Sequence, residues 1–254
     1  MRIGSSVLAT TVAGVALIGG EVLLAMRRSY LMGDSAPAVT GDFGKATDPI
    51  VRLVLLGDST AAGVGVSRTQ DTIGAQVAMR LSSSGYSVKL SSVAITGSQA
   101  ADLAPQVGRA MVMTERPTVA LIIIGANDAT HLTPLDDVGR DLEEAVRRLR
   151  EAGIGVVVAT CPEMGAPNFA RPLRDLVSWR GRGVAAKSER AVTRAGGLTV
   201  DLAREAGPIF RRDPQRLHSS DEFHPSAAGY RVWADAITPV LQRAITAVRQ
   251  LERG

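Results

Sequence analysis

The stretch Leu53–Val66, "LVLLGDSTAAGVGV", opens as an apolar run and closes in small residues, with an aspartate and a serine between them. Consecutive aliphatic side chains without polar alternation are what a strand buried on both faces requires. Ser59, just past that strand, has two readings. A Ser-Thr pair after a strand is by default the N-cap of the next helix. A serine at the carboxyl end of a strand also stands where an open α/β sheet gathers its reactive groups. The second reading requires a base, an orienting acid and oxyanion donors elsewhere in the chain.

The both-face signature recurs in "VALIIIG" (119–125) and "IGVVVAT" (154–160). Strands are expected at Val51–Leu56, Ser87–Ile95, Val119–Gly125, Gly155–Thr160 and Leu198–Asp201. Helical periodicity fills the intervals at Thr72–Ser84, Gln99–Thr114, Leu135–Ala152, Leu173–Ala195 and from Ser226 to near Leu251. Alternating strands and helices predict an α/β domain over residues 50–254, a three-layer α/β/α sandwich around a five-stranded parallel sheet. Residues 29–49 carry no period and are rich in Gly, Pro, Ser and Asp, so they read as a linker.

Ahead of the linker, Ile3 to Met26 is nearly all apolar or small, interrupted by Glu21 and closed by Arg27 and Arg28. About 20 such residues span a hydrocarbon core. Residues 1–28 are therefore expected to form an N-terminal apolar helix that anchors the protein in a membrane. A cleaved signal is the alternative, with Ala36-Pro37-Ala38 as its cleavage pattern, and a helix lying on the domain is the plainest reading. The flanking positive charges, Arg2 and the amino terminus against Arg27 and Arg28, leave the side of the membrane undecided.

In the 254-residue chain, apolar residues make up 45% and aromatics 4%, so the core rests on Val, Ile, Leu and Ala. The net charge is +4, but only Lys45, Lys89 and Lys187 are lysines, and the arginines are scattered without aromatic interleaving. That pattern is no nucleic-acid footprint, and no nucleic-acid partner is expected. Cys161 is the sole cysteine and reads as a packed apolar residue ahead of Pro162, which excludes an intrachain disulfide and a cysteine-based metal site. Gly63-Val64-Gly65 has Arg68 where a dinucleotide fingerprint needs its third glycine, and the Gly-x-Ser-x-Gly elbow is absent. The composition leaves the oligomeric state open.

At the strand ends stand Gly57-Asp58-Ser59-Thr60, Thr96-Gly97-Ser98 and Gly125-Ala126-Asn127-Asp128; before the last helix comes "SSDEFHPSAAGY" (219–230). These pieces are complementary. Serine needs a base, and His224 suits that role because histidine titrates near neutrality. Asp221, three residues earlier, can orient the imidazole and stabilise its charged form. The Ser59 and Gly97 amides and the Asn127 side chain supply oxyanion donors, each worth about 3 kcal/mol of barrier. The plainer reading makes Asn127-Asp128 a turn pair. His131 and His218 read as surface or loop histidines.

These blocks resemble those of the SGNH hydrolases, the GDSL esterase/lipase family: Gly57-Asp58-Ser59, Gly97, Gly125-Ala126-Asn127-Asp128 and Asp221-Glu222-Phe223-His224, in that order. The likeness spans about residues 51–250, with Thr60 where the family name has Leu. It implies a flavodoxin-like SGNH fold and a serine esterase or lipase. Ser59 is then the nucleophile, His224 the base, Asp221 the orienting acid, and Ser59, Gly97 and Asn127 the oxyanion hole. No cofactor or metal is expected. The implied substrate is a small-molecule, lipid or carbohydrate ester or thioester. An acyltransferase using the same residues and a catalytically idle binding protein are the alternatives. The basic stretch Arg171–Arg194 reads as a solvated helix face, or else as an overhang that attracts anionic substrates, with Phe169 and Trp179 as apolar wall.

Overall fold

The computed structural model describes residues 36–164, 171–251 and 253. Its strands are β1 (Gly41–Phe43), β2 (Ile50–Gly57), β3 (Ser87–Ser92), β4 (Val119–Ile123), β5 (Gly155–Ala159) and β6 (Leu198–Val200). The long helices are α1 (Ile73–Ser83), α2 (Leu103–Met111), α4 (Leu135–Glu151), α5 (Leu173–Arg194) and α9 (Ala227–Leu251). Four short ones lie between them: α3 (Ala126–Thr130), α6 (Leu202–Glu205), α7 (Gly207–Arg212) and α8 (Pro214–Leu217).

The sheet has the order β1-β3-β2-β4-β5-β6. Side chains alternate across it. Leu53 and Leu55 of β2 join Ile73, Val77, Ile237 and Leu241 of α1 and α9 on one face. Val54 and Leu56 join Val107, Leu142, Val146 and Leu149 of α2 and α4 on the other. Each fully buried Leu or Val contributes about 2 kcal/mol relative to exposure. This two-sided burial is why the strands read as unbroken apolar runs.

The expected sheet is corrected in one respect: it is mixed and has six strands, not five parallel ones. The sixth, β1, comes from within the stretch read as linker and pairs antiparallel with β3, Gly41 opposite Leu90 and Phe43 opposite Val88. Three residues carry no periodic signal. What makes them a strand is the otherwise unpaired edge of β3. Just ahead of β1, Val39 is buried against Gly74 of α1.

From β2 the chain steps to β3 on one side and then crosses back over to β4 on the other. Ligands bind at such a switch point, outside the carboxyl ends of the strands. The expected anchor and N-terminal helix lie outside the described residues. Among the described residues no helix is long and apolar enough to cross a membrane.

Candidate active site

β2 ends at Gly57, whose φ is +132° and where a Cβ would stand 1.8 Å from the Ile123 carbonyl oxygen, so only glycine fits. Asp58 continues the pairing through its amide to Ile123 O at 3.1 Å. Its buried carboxylate accepts Thr60 N at 3.0 Å and Thr60 Oγ1 at 2.7 Å. The chain then winds through successive turns, with Val64 N donating to Ser59 O at 2.9 Å. The N-cap reading of Ser59 is therefore corrected. α1 begins only at Ile73, and Thr72 caps it by accepting from Ala75 N.

Across 165 residues of sequence, His224 meets that turn: Ser59 Oγ and His224 Nε2 are 2.9 Å apart. His224 Nδ1 lies 2.6 Å from Asp221 Oδ2. The other carboxylate oxygen accepts Ser219 Oγ at 2.7 Å and the Phe223 and His224 amides at 3.0 Å. Glu222, at φ +55°, makes the tight turn that lets Asp221 and His224 face each other. The loop is pinned by Ser219 N to His224 O at 2.8 Å and by a bridge between His218 and Pro225. Burial alone would push the Asp221 carboxyl up; the bonds from His224, Ser219 and Phe223 overcome that and hold it well below the usual carboxylate range. Because the carboxylate can only accept, Nδ1 carries the proton and Nε2 is left to accept from the serine.

The three expected oxyanion donors stand just beyond the carboxyl ends of the neighbouring strands β2, β3 and β4. Gly97, at φ +82°, has open space where a Cβ would stand. Neither its amide nor that of Ser59 donates to a protein acceptor among the described residues. Asn127, on α3, spends one amide hydrogen on Ser98 O at 2.9 Å and keeps the other. Its neighbour Asp128 is fully buried and accepts Ala100 N with both oxygens at 3.2 Å. The pair is thus a bridge to the turn after β3. Burial pushes the Asp58 and Asp128 carboxyls up, and burial beside both carboxyls pushes the Cys161 thiol up, so Cys161 is packed and unreactive.

A cavity of about 220 Å³ opens beside His224, walled by Thr60, Ala126, Leu202, Phe210 and Trp233. Its walls come from the turn after β2 and from α3, α5 (through Arg174), α6, α7 and α9, and no local pattern joins those elements. His218, read as a surface or loop histidine, lines this cavity, with Nδ1 donating to Pro214 O at 2.8 Å. His131 is a surface histidine, donating through Nδ1 to Asn127 O at 2.8 Å. Trp179 does not wall the cavity but is 63% exposed, and Phe169 lies outside the described residues. Several basic groups of the 171–194 stretch are occupied elsewhere. Lys187 and Arg194 pair with Asp136 and Glu143 of α4, Arg171 with Asp175, and Arg180 donates to Thr133 O. Among the described residues no group of three or more His, Cys, Asp or Glu side chains is arranged to hold a metal ion.

The sequence model of the GDSL-like lipase/acylhydrolase family matches residues 55–232, the span that carries this geometry. The chain belongs to this family. Its enzyme class, carboxylic ester hydrolase, follows from that membership. One relative in the family is the GDSL-like esterase Rv1075c of Mycobacterium tuberculosis. It is 34% identical over 251 residues, covering 92% of this chain and 80% of that protein. Among solved structures, TesA superposes with a TM-score of 0.59 at 20% identity, over 76% of this chain and 99% of that one. Axe2, an acetylxylan esterase from Geobacillus stearothermophilus, gives 0.55 at 22%, over 80% and 95%. Both share the GDSL/SGNH α/β fold, and at these identities the likeness extends to the fold alone.

Proposed function

We propose that this chain hydrolyses carboxylic esters through an acyl-enzyme on Ser59. The observation that carries the reading is the unbroken relay from Ser59 Oγ to His224 at 2.9 Å and from His224 to Asp221 at 2.6 Å. His224 Nε2 takes the serine proton as Oγ attacks the ester carbonyl. Asp221 keeps the imidazole in the right tautomer and stabilises its charged form. The Ser59 and Gly97 amides and Asn127 Nδ2 receive the oxyanion. Collapse of the tetrahedral intermediate sends the proton from His224 to the departing alcohol oxygen. A water, deprotonated by His224, then attacks the acyl group and restores Ser59. The name of the mycobacterial relative, an esterase, agrees with this reading.

The apolar cavity beside His224 is assigned to the acyl chain. Each methylene it buries contributes about 0.8 kcal/mol, or about 4-fold in kcat/KM. With p-nitrophenyl esters from acetate upward, kcat/KM is expected to climb by roughly that factor per carbon and then level off once the cavity is filled. A flat series, or a fall already at butyrate, would remove the cavity from substrate binding. Added alcohol that diverted the acyl group without slowing p-nitrophenol release would identify a transferase.

The apolar stretch before Arg27 is proposed to anchor the protein. Full-length protein is then recovered with membranes and resists salt extraction, while a chain beginning at Ala36 is soluble and active. Cutting further in, near Asp42, would remove the buried Val39 and part of β1. Full-length protein recovered intact in the soluble fraction would contradict the anchor, and a mature terminus near Val39 would identify a cleaved signal.

A further inference from the structure

α2 turns an apolar face inward through Leu103, Val107 and Ala110, and Gln106 sits fully buried on that same face. A carboxamide is retained in such a place only when its polar atoms are used. Here Oε1 accepts Gly57 N at 2.7 Å, and Nε2 donates to Gly57 O at 3.0 Å and to Ser98 Oγ at 3.0 Å. Gly57 stands two residues ahead of Ser59, and Ser98 directly follows Gly97. The carbonyl of Ser98, itself buried, accepts Asn127 Nδ2 at 2.9 Å. One buried carboxamide therefore links the segments that carry all three oxyanion donors.

We infer that Gln106 is a positioning residue for the oxyanion hole: through Gly57 and Ser98 it fixes the spacing of the Ser59 and Gly97 amides and the aim of Asn127. This rests on the reading of Ser59 as nucleophile. Oxyanion donors act because they are already in place when charge develops, and they lose much of that advantage when displaced by a fraction of an ångström. The backbone joins the two segments once, Ile95 N donating to Gly57 O at 3.1 Å, and Gln106 adds a second tie that reaches on to Ser98, next to Gly97. The end of β2 and the turn after β3 are separate pieces of chain, and the Gln106 side chain bonds to both. Gln106 itself does not touch the substrate.

The test replaces Gln106 by methionine, which keeps length and volume and removes all three bonds. Turnover is measured per active site, with sites counted by exhaustive fluorophosphonate labelling. Expected is a fall in kcat per labelled site of about 10- to 100-fold, with KM within about 3-fold of the parent and slower labelling to the same final stoichiometry. In the Gln106→Met background, Asn127→Ala should cost much less than it does alone, since both changes disable the same unit. A merely structural role would lower the yield of folded, labelled enzyme and leave kcat per site unchanged; that result overturns the inference. Should Gln106→Met not fold, Ser98→Ala carries the test. It removes one of the three Gln106 contacts and keeps the carbonyl, so a fall of about 3- to 10-fold per site is expected, and an unchanged value overturns the inference. A Ser59→Ala chain that still turned over would instead remove the reading on which this one rests.

Discussion

Ser59→Ala is expected to lose turnover by on the order of 10⁴-fold or more and to take up no fluorophosphonate. The change deletes one oxygen, the atom 2.9 Å from His224 Nε2. What remains are oxyanion donors and a base with nothing to activate but water. The fold should survive. Ser59 caps no helix, and the loss of one side-chain hydrogen bond costs about 1 kcal/mol. Hydrolysis of a p-nitrophenyl ester, labelling and thermal unfolding are measured on the same preparation. Activity within a hundredfold of the parent, in a variant that melts normally, would refute the acyl-enzyme.

The second large effect divides the labour within the C-terminal loop. His224→Ala should be as damaging as Ser59→Ala, because the serine is not activated without its base, and the double variant should be little worse than either. Asp221→Asn is expected to fall by about 10³- to 10⁴-fold, leaving more residual activity than either. An asparagine that turns its NH₂ toward Nδ1 favours the tautomer with the proton on Nε2, which no longer accepts from Ser59. The same variant has a stability signature. Asp221 titrates well below an unfolded aspartate, so its contribution is fully present above the ordinary carboxylate value and is lost as pH falls toward its depressed folded value. Urea unfolding should find Asp221→Asn weaker than the parent at pH 7, with the gap narrowing below about pH 4. Asp58 and Asp128, pushed up by burial, act in the opposite sense as pH rises, and both chains share them, so the difference isolates Asp221. An Asp221→Asn chain with parental activity would make that carboxylate a bystander.

The strands and long helices were legible because burial on both faces of a sheet and one face of a helix writes a local pattern into the chain. β4 and β5 show it in "VALIIIG" and "IGVVVAT", and α1, α4, α5 and α9 begin or end within a residue or two of the expected bounds. The candidate site residues were legible for a related reason. Such a sheet must bring its functional residues to strand ends, and Asp221 and His224 lie within one turn of each other. What the tertiary structure alone decided is everything that depends on partners distant in sequence. β1 is a strand only because β3 offers an edge. Ser59 sits in a series of turns, and it is the approach of His224 from 165 residues away that completes the relay. His218 reaches the cavity wall because α7, α8 and α9 fold together around it. Gln106 reads as one polar interruption on an apolar helix face until Gly57 and Ser98 arrive to use it. Periodicity records how much of a side chain is buried; which group it meets there depends on contacts that form only when the whole sheet has closed.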